Sequence, residues 1–247
     1  MATPELFNSE VGYPEDSQRT SVAYPEFAVA QPTAVPANLP IATFAYRVVK
    51  PAFDLALIFF ALPILLPLGL LIALVICATS RGSALYRHRR LGQFQNPIYV
   101  WKFRTMYKDS DRLLEHYLST DAEARREWSE THKLKSDPRI TPIGRFLRST
   151  SLDEIPQLLN VLAGEMSIVG PRPIVDKEKS KYGIYLQMFS YAVPGITGLW
   201  QTSGRCDLSY NQRVQLDMRY VTRWSLWMEL KIVLKTIFVM IHREGAY

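Results

Sequence analysis

From Leu55 to Ser80 the chain carries no charged residue. A straight helix of that length crosses a hydrocarbon core of roughly 30 Å, so this stretch constrains the fold more than any other. Pro63 and Pro67 stand in its middle, spaced i, i+4. Each removes a backbone hydrogen bond and pushes a helix to kink or break. Arg47 and Lys50 precede the stretch, and Arg81, Arg87, Arg89 and Arg90 follow it. A spanning helix normally keeps its basic flank on one side, so bases at both ends favour both ends staying on the cytoplasmic face. The expected form is a re-entrant membrane helix that bends at the prolines and returns. A kinked span and a buried helix of a soluble core are the competing forms.

Charge divides the rest of the chain. Residues 1–40 hold five acids, one base and six of the sixteen prolines, with no sustained periodicity. That composition predicts a disordered tail, with a docking segment for a partner as the alternative. Residues 41–247 hold 28 bases against 18 acids, a balance suited to an anionic partner: lipid surface, phosphorylated substrate or nucleic acid. No nucleic-acid motif accompanies the bases, so no nucleic-acid partner is expected. The N-terminus lacks a basic region followed by an apolar one, so no cleaved secretory signal is expected. Two cysteines, Cys77 and Cys206, give neither a disulfide framework nor metal-ligand spacing.

Beyond the apolar stretch, Ala84–Arg89 and Ile98–Thr105 flank a loop with Gly92 and Asn96-Pro97, which predicts a β-hairpin. A period of two puts Val100, Lys102 and Arg104 on one face and Tyr99, Trp101 and Phe103 on the other. The basic face suits phosphate contact; a solvated edge strand is the equal alternative. Residues 109–135 read as charged surface helices without chemistry, and His88, His116 and His132 suggest no metal. Apolar positions from Leu226 to Ile241 recur at helical spacing. Trp224, Trp227, Lys231 and Lys235 make an interfacial membrane helix as plausible as a core-packing one.

Chemistry concentrates between Arg148 and Pro173, where Asp153 and Glu154 lie between Arg148 and Arg172. Carboxylates beside guanidinium groups point to a phosphorylated substrate and a divalent metal, because hard cations choose oxygen ligands. Ser151-x-x-Glu154 matches a capping box, yet Pro156 would then be the fifth helical residue. With Asp153 as N-cap, Pro156 falls in the first turn, and the helix dipole and Arg148 favour the ionised Asp153. An ionised aspartate there can attack phosphorus, while Glu154 and Asp153 are candidate ligands of Mg²⁺.

Leu152-Asp-Glu154, Pro156-Gln157, Asn160-Val-Leu162, Gly164-Glu-Met-Ser167 and Val169-Gly-Pro-Arg-Pro173 together resemble the bacterial sugar transferases. More narrowly, they resemble the small monotopic polyprenyl-phosphate phosphoglycosyl transferases. Lys102-Phe-Arg-Thr-Met106, Pro194-Gly-Ile-Thr-Gly198, Gln201 and Gly204-Arg205 extend the resemblance, which runs from about Lys50 to the end. It implies a mainly α monotopic membrane protein with a small β-hairpin, a proline-broken re-entrant helix and interfacial amphipathic helices. The family's break is commonly Ser-Pro; here the matching pair is Leu66-Pro67, with Pro63 added. The expected organisation is a tail over 1–40, a membrane region over 41–82 and a catalytic domain over 83–247 on the cytoplasmic face of a bacterial inner membrane. Larger relatives carry added spans before this region, where only the acidic tail stands here.

The resemblance also implies transfer of a phosphosugar from a UDP-sugar to a polyprenyl phosphate, with release of UMP and a covalent intermediate on Asp153. Glu154 falls on the partner acid associated with Mg²⁺. Lys102, Arg148 and Arg172 fall on basic positions near the phosphates, and Gln201 and Arg205 lie toward the nucleotide-sugar end. Asp217 matches a further recurrent acid, and Arg104 is a substrate-binding candidate for which a structural or lipid-surface role is equally expected. Arg243-Glu-Gly-Ala-Tyr247 resembles the ends of exopolysaccharide-initiating members, which points to galactose or glucose. Membrane lipid, other exopolysaccharide assembly enzymes and a second copy of the chain are the candidate partners. A UDP-releasing glycosyltransferase and a non-catalytic membrane scaffold are the rival functions.

Overall fold

The structure is a computed structural model that describes residues 34–131, 134–204 and 208–242. Most of the predicted N-terminal tail, together with His132, Arg205, Cys206 and residues 243–247, lies outside the described residues. Helix α1 (Lys50–Thr79) leads into an antiparallel hairpin of β1 (Leu85–Leu91) and β2 (Pro97–Phe103). Two surface helices, α2 (Ser110–Thr120) and α3 (Ala122–Thr131), precede α4 (Pro142–Thr150) and α5 (Leu158–Leu162). Strand β3 (Ser167–Val169) is followed by the short α6 (Lys179–Tyr182) and α7 (Leu186–Ser190), then by β4 (Gly195–Thr197). Helices α8 (Tyr210–Arg223) and α9 (Leu226–His242) complete the body. The protein is mainly helical with a small β-hairpin, as expected. A parallel β3–β4 ladder, pairing Ser167 with Gly195 and Val169 with Thr197, was not foreseen. Three-residue strands carry too little periodicity to register in sequence.

Helix α1 is continuous from Lys50 to Thr79, with Pro63 and Pro67 inside it, so the expected break does not interrupt the helix. Its inward face recurs at i, i+4: Lys50, Asp54 and Ile58 near the start, Ile72 and Ile76 near the end. Ile58 packs with Ile98, Val100, Val161 and Met166, while Ile72 and Ile76 pack with Ala84, Phe103 and Leu147. The helix therefore lies against the body at both ends. Its other face is bare hydrocarbon: Phe60 is 77% and Ile64 70% exposed, and Phe59, Leu70 and Leu74 are comparably open. Among the described residues this is the one helix long and apolar enough to cross a membrane.

Lys50 is not the solvated flanking base that the sequence suggested. It is 2% exposed, and its Nζ lies 2.6 Å from Glu229 Oε1 on α9 and 2.9 Å from the carbonyl of Val169. Trp224 Nε1 and the Tyr220 hydroxyl each reach Glu229 Oε1 at 2.6 Å, and Ser167 donates to Asp54. A buried charge persists only when paired and hydrogen-bonded, so this network pins the start of α1 to α8, α9 and β3. Around it lies the main core cluster of Ile41, Tyr46, Tyr191, Trp224 and Ile232. Val35 and Leu39 pack against that cluster, so the folded body begins before the expected boundary at residue 40.

Helix α9 packs one face on the core and leaves an apolar face open. Glu229 and Ile232 face the core, while Trp227, Leu234, Ile237 and Phe238 remain exposed.

Candidate functional site

The site begins with helix α4. Thr141 caps it, accepting from Gly144 N at 2.9 Å, and Pro142 starts its first turn. Gly144 rests against the end of the hairpin: a Cβ there would stand 2.0 Å from the carbonyl oxygen of Thr105. That close approach lets Arg148, one turn on, donate from Nε to Thr105 Oγ1 at 2.9 Å.

The chain leaves α4 through Ser151 in the left-handed conformation (φ 57°), whose N–H donates back to Leu147 and Arg148. It then forms a 3₁₀ helix, Leu152–Gln157, that carries Asp153, Glu154 and Pro156. The capping box is absent and Asp153 is not the N-cap; Ser151 holds the N-cap position without a side-chain bond. The reason lies upstream: Ser151 is committed as the C-terminal cap of α4, so it lacks the extended backbone that a capping side chain needs.

This turn packs against β2. Asn160 on α5 fixes the register, donating from Nδ2 to the carbonyl of Tyr99 at 2.8 Å and accepting from Trp101 N at 3.0 Å. Lys102 is thereby aimed at the acids. Its Nζ lies 2.7 Å from Glu154 Oε1 and 3.5 Å from Asp153 Oδ2. Arg172, in the turn after β3, approaches the same Glu154 oxygen at 3.6 Å. Gly195 and Gly170 hold that turn closed, since a Cβ on Gly195 would meet Gly170 N at 2.0 Å.

Electrostatics separates the two acids. Burial raises the Asp153 carboxyl above its ordinary range, and Lys102 and Arg148 only partly oppose it. Arg148 acts in the expected direction, favouring the ionised form, but desolvation is the larger effect. Glu154 is also desolvated, but Lys102 and Arg172 outweigh that and hold it below the ordinary range. Asp153 is the more basic carboxylate and Glu154 the fixed charge.

The structure brings Lys102, Asp153, Glu154 and Arg172 together and sets Arg148 beside them. Gln201 lies near the same turn, its Oε1 2.7 Å from where a Gly198 Cβ would stand. Arg104 is turned elsewhere, donating to Ser80 Oγ and to the carbonyls of Ser80, Arg81 and Gly82 at the end of α1. Asp217 is fully buried in another part of the core, accepting from the Tyr182 hydroxyl at 2.7 Å. Neither reaches the acid pair, because Arg104 falls past the end of β2 and Asp217 lies on the inner face of α8.

Three residues were not singled out from sequence. Asn160 positions Lys102; it stands in a motif that carries the family resemblance, but its role there depends on a contact with Tyr99 and Trp101 that the sequence does not display. His88 and Arg90 share the face of β1 that stands opposite Val100 and Ile98, on the same side as Lys102. Burial and the charges of Arg90, Lys102 and Arg172 push the His88 imidazole down to about 4, so it is neutral at physiological pH. Strict alternation along β1 is the signal that puts His88 and Arg90 on that side.

Two adjacent acids held by a lysine and an arginine, beside a bare apolar helix, define the class: a site fitted to phosphorylated ligands at a surface suited to lipid. The bacterial sugar transferase family model matches residues 45–243, and the chain belongs to that family. It is 46% identical over 207 residues to a UDP-galactose-lipid carrier transferase of Erwinia amylovora, covering 84% of this chain and 43% of that protein. It is 45% identical over 198 residues to the exopolysaccharide production protein ExoY of Sinorhizobium fredii, covering 80% of this chain and 88% of that one. A UDP-glucose:undecaprenyl-phosphate glucose-1-phosphate transferase of Escherichia coli is 37% identical over 210 residues, covering 81% of this chain and 42% of that protein. The chain thus spans less than half the length of the Erwinia and Escherichia proteins and most of the Sinorhizobium one.

Proposed function

We propose that the protein transfers a hexose 1-phosphate, from UDP-galactose or UDP-glucose, to undecaprenyl phosphate and releases UMP. The reaction begins exopolysaccharide assembly at the cytoplasmic face of the bacterial inner membrane. The observation that carries this reading is the pair of buried Asp153 and part-buried Glu154, bridged by Lys102 at 3.5 and 2.7 Å, in a chain of the bacterial sugar transferase family. The names of the Erwinia, Sinorhizobium and Escherichia relatives supply the sugars, the lipid carrier and the product class.

Asp153 Oδ attacks the phosphorus that bears the sugar. The bond from that phosphorus to the UMP oxygen breaks, and its electron pair leaves with UMP. A phosphate oxygen of the lipid then attacks the same phosphorus and returns the Asp153 carboxylate, giving a lipid diphosphosugar. Lys102 and Arg172 spread the charge gathering on the phosphoryl oxygens, and the carboxylate of Glu154 keeps Lys102 in place. Two neighbouring carboxylates are the usual protein contribution to Mg²⁺ at a phosphate site, substrate oxygens and water supplying the rest. Asp153 and Glu154 fit that donor set, and a bound Mg²⁺ would neutralise diphosphate charge. Among the described residues no cluster of three or more His, Cys, Asp or Glu side chains suits a metal held by protein alone.

The re-entrant, monotopic topology belongs to this reading. Its support is that α1 touches the body at both ends, through Lys50 and Glu229 at one and through Ile76 and Leu147 at the other. Both prolines sit on the outward face, where missing backbone bonds and added rings lengthen that side and favour curvature around the body. The exposed face of α9 would lie in the same interface, placing the acids at the depth of a lipid phosphate.

The test is release of UMP from UDP-galactose and UDP-glucose by the full chain in membranes with undecaprenyl phosphate. Mass spectrometry of the Asp153 peptide should find a hexose phosphate adduct when lipid is withheld. Asp153→Asn should lose about a thousand-fold or more in turnover. UDP as the released nucleotide, or full activity in Asp153→Asn, would overturn the reading.

A further inference from the structure

Arg90 is a cation without a close counterion. Its side chain is 17% exposed, yet its contacts among the described residues are long: Pro173 O at 3.5 Å, His88 Nδ1 at 3.5 Å and Glu178 Oε2 at 3.8 Å. A guanidinium offers five donors, and charge-assisted bonds close at about 2.7 to 2.9 Å. Glu178 is also committed elsewhere, accepting from Val175 N at 3.0 Å and from the Tyr210 hydroxyl at 3.4 Å. A part-buried charge held this loosely has capacity for an anion.

Its position says which anion. Arg90 pairs with Ile98 and Tyr86 with Lys102, so Arg90 stands four residues from Lys102 along one face, about 13 Å at strand spacing. Arg172 lies between them: it reaches Glu154 at 3.6 Å, and the next residue, Pro173, supplies the carbonyl beside Arg90. Lys102, Arg172 and Arg90 thus form a row of bases leading away from Asp153. A nucleotide sugar attacked at the sugar-bearing phosphorus must extend its nucleotide phosphate away from the nucleophile.

We propose that Arg90, steadied by His88 and paired with Arg172, binds the phosphate of the leaving nucleotide. This assignment rests on the transfer reaction proposed above. The lipid acceptor carries a phosphate monoester of the same chemistry, so the test separates the two sources.

The experiment titrates the detergent-solubilised full chain with UMP by calorimetry, with no turnover involved. Arg90→Met should weaken UMP binding by about 10- to 100-fold, the range for a lost charged hydrogen bond. Arg90→Lys should fall in between, and it carries the test if Arg90→Met does not fold. Glu178→Gln should bind UMP equally or more tightly, because it removes only the competing carboxylate. Equal weakening in Arg90→Met and Glu178→Gln would make Arg90 a strut for the Glu178 loop and overturn the proposal. So would unchanged UMP binding in Arg90→Met, including the case in which only the KM for undecaprenyl phosphate rises. If UMP is bound but never released from a UDP-sugar, the transfer reaction fails and the Arg90 site stands.

Discussion

At Asp153 burial, two bases and a second acid compete over one proton, and burial is the largest influence. The nucleophile must be ionised to attack, so the acid limb of the kcat/KM profile, which reports the free enzyme, should lie above the ordinary aspartate range. Lys102→Met removes the strongest opposing influence and should move that limb to higher pH still, read from UMP release against pH. Asp217 offers a separate test. Burial pushes its carboxyl up to about 8, while an unfolded aspartate titrates near about 4. The folded state therefore holds a proton that the unfolded chain releases across that window. The contribution is complete below about pH 4 and is lost as pH rises through about 8. Asp217→Asn should flatten this part of the dependence, seen as a smaller drop in Tm between pH 5 and pH 8 than in the parent protein.

Among the elements, α4 and α1 make the site's position sensitive to small changes. Gly144→Ala would drive a methyl group into the Thr105 carbonyl, forcing α4 off the hairpin and moving Arg148 from Thr105 Oγ1. The expected cost is about 1 to 3 kcal/mol, measurable by denaturation, with a larger loss of turnover than stability alone explains. Glu229→Ala leaves Lys50 buried with Asp54 as its nearest acid, 3.8 Å away, and strips the acceptor from Trp224 Nε1. Breaking a buried pair in this way costs about 3 to 5 kcal/mol, so the melting transition should fall well below that of Glu229→Gln, which keeps an acceptor. The hairpin, the surface helices and α9 were all legible from period and turn residues. The 3₁₀ turn under the acids was not, because Ser151 takes its conformation from the end of α4.

For the molecule as a whole, the contacts at both ends of α1 make topology the decisive measurement. With Cys77 and Cys206 replaced, single cysteines at Thr43 and Ser83 should both be shielded from a reagent applied outside intact cells. External labelling of one but not the other would establish a span.

The sequence by itself determined the apolar helix, the hairpin, the acid pair with Lys102 and Arg172, and the family, since each is written in local composition or spacing. Only the tertiary structure decided which charges are buried and what they meet. It turned Lys50 inward onto Glu229, 179 residues away, and Arg104 onto the end of α1. It also raised the Asp153 carboxyl rather than lowering it, and placed His88 and Arg90 on the side of Lys102. Burial and long-range pairing depend on surfaces that meet only in the folded chain, and desolvation outweighs the local charges that a sequence displays.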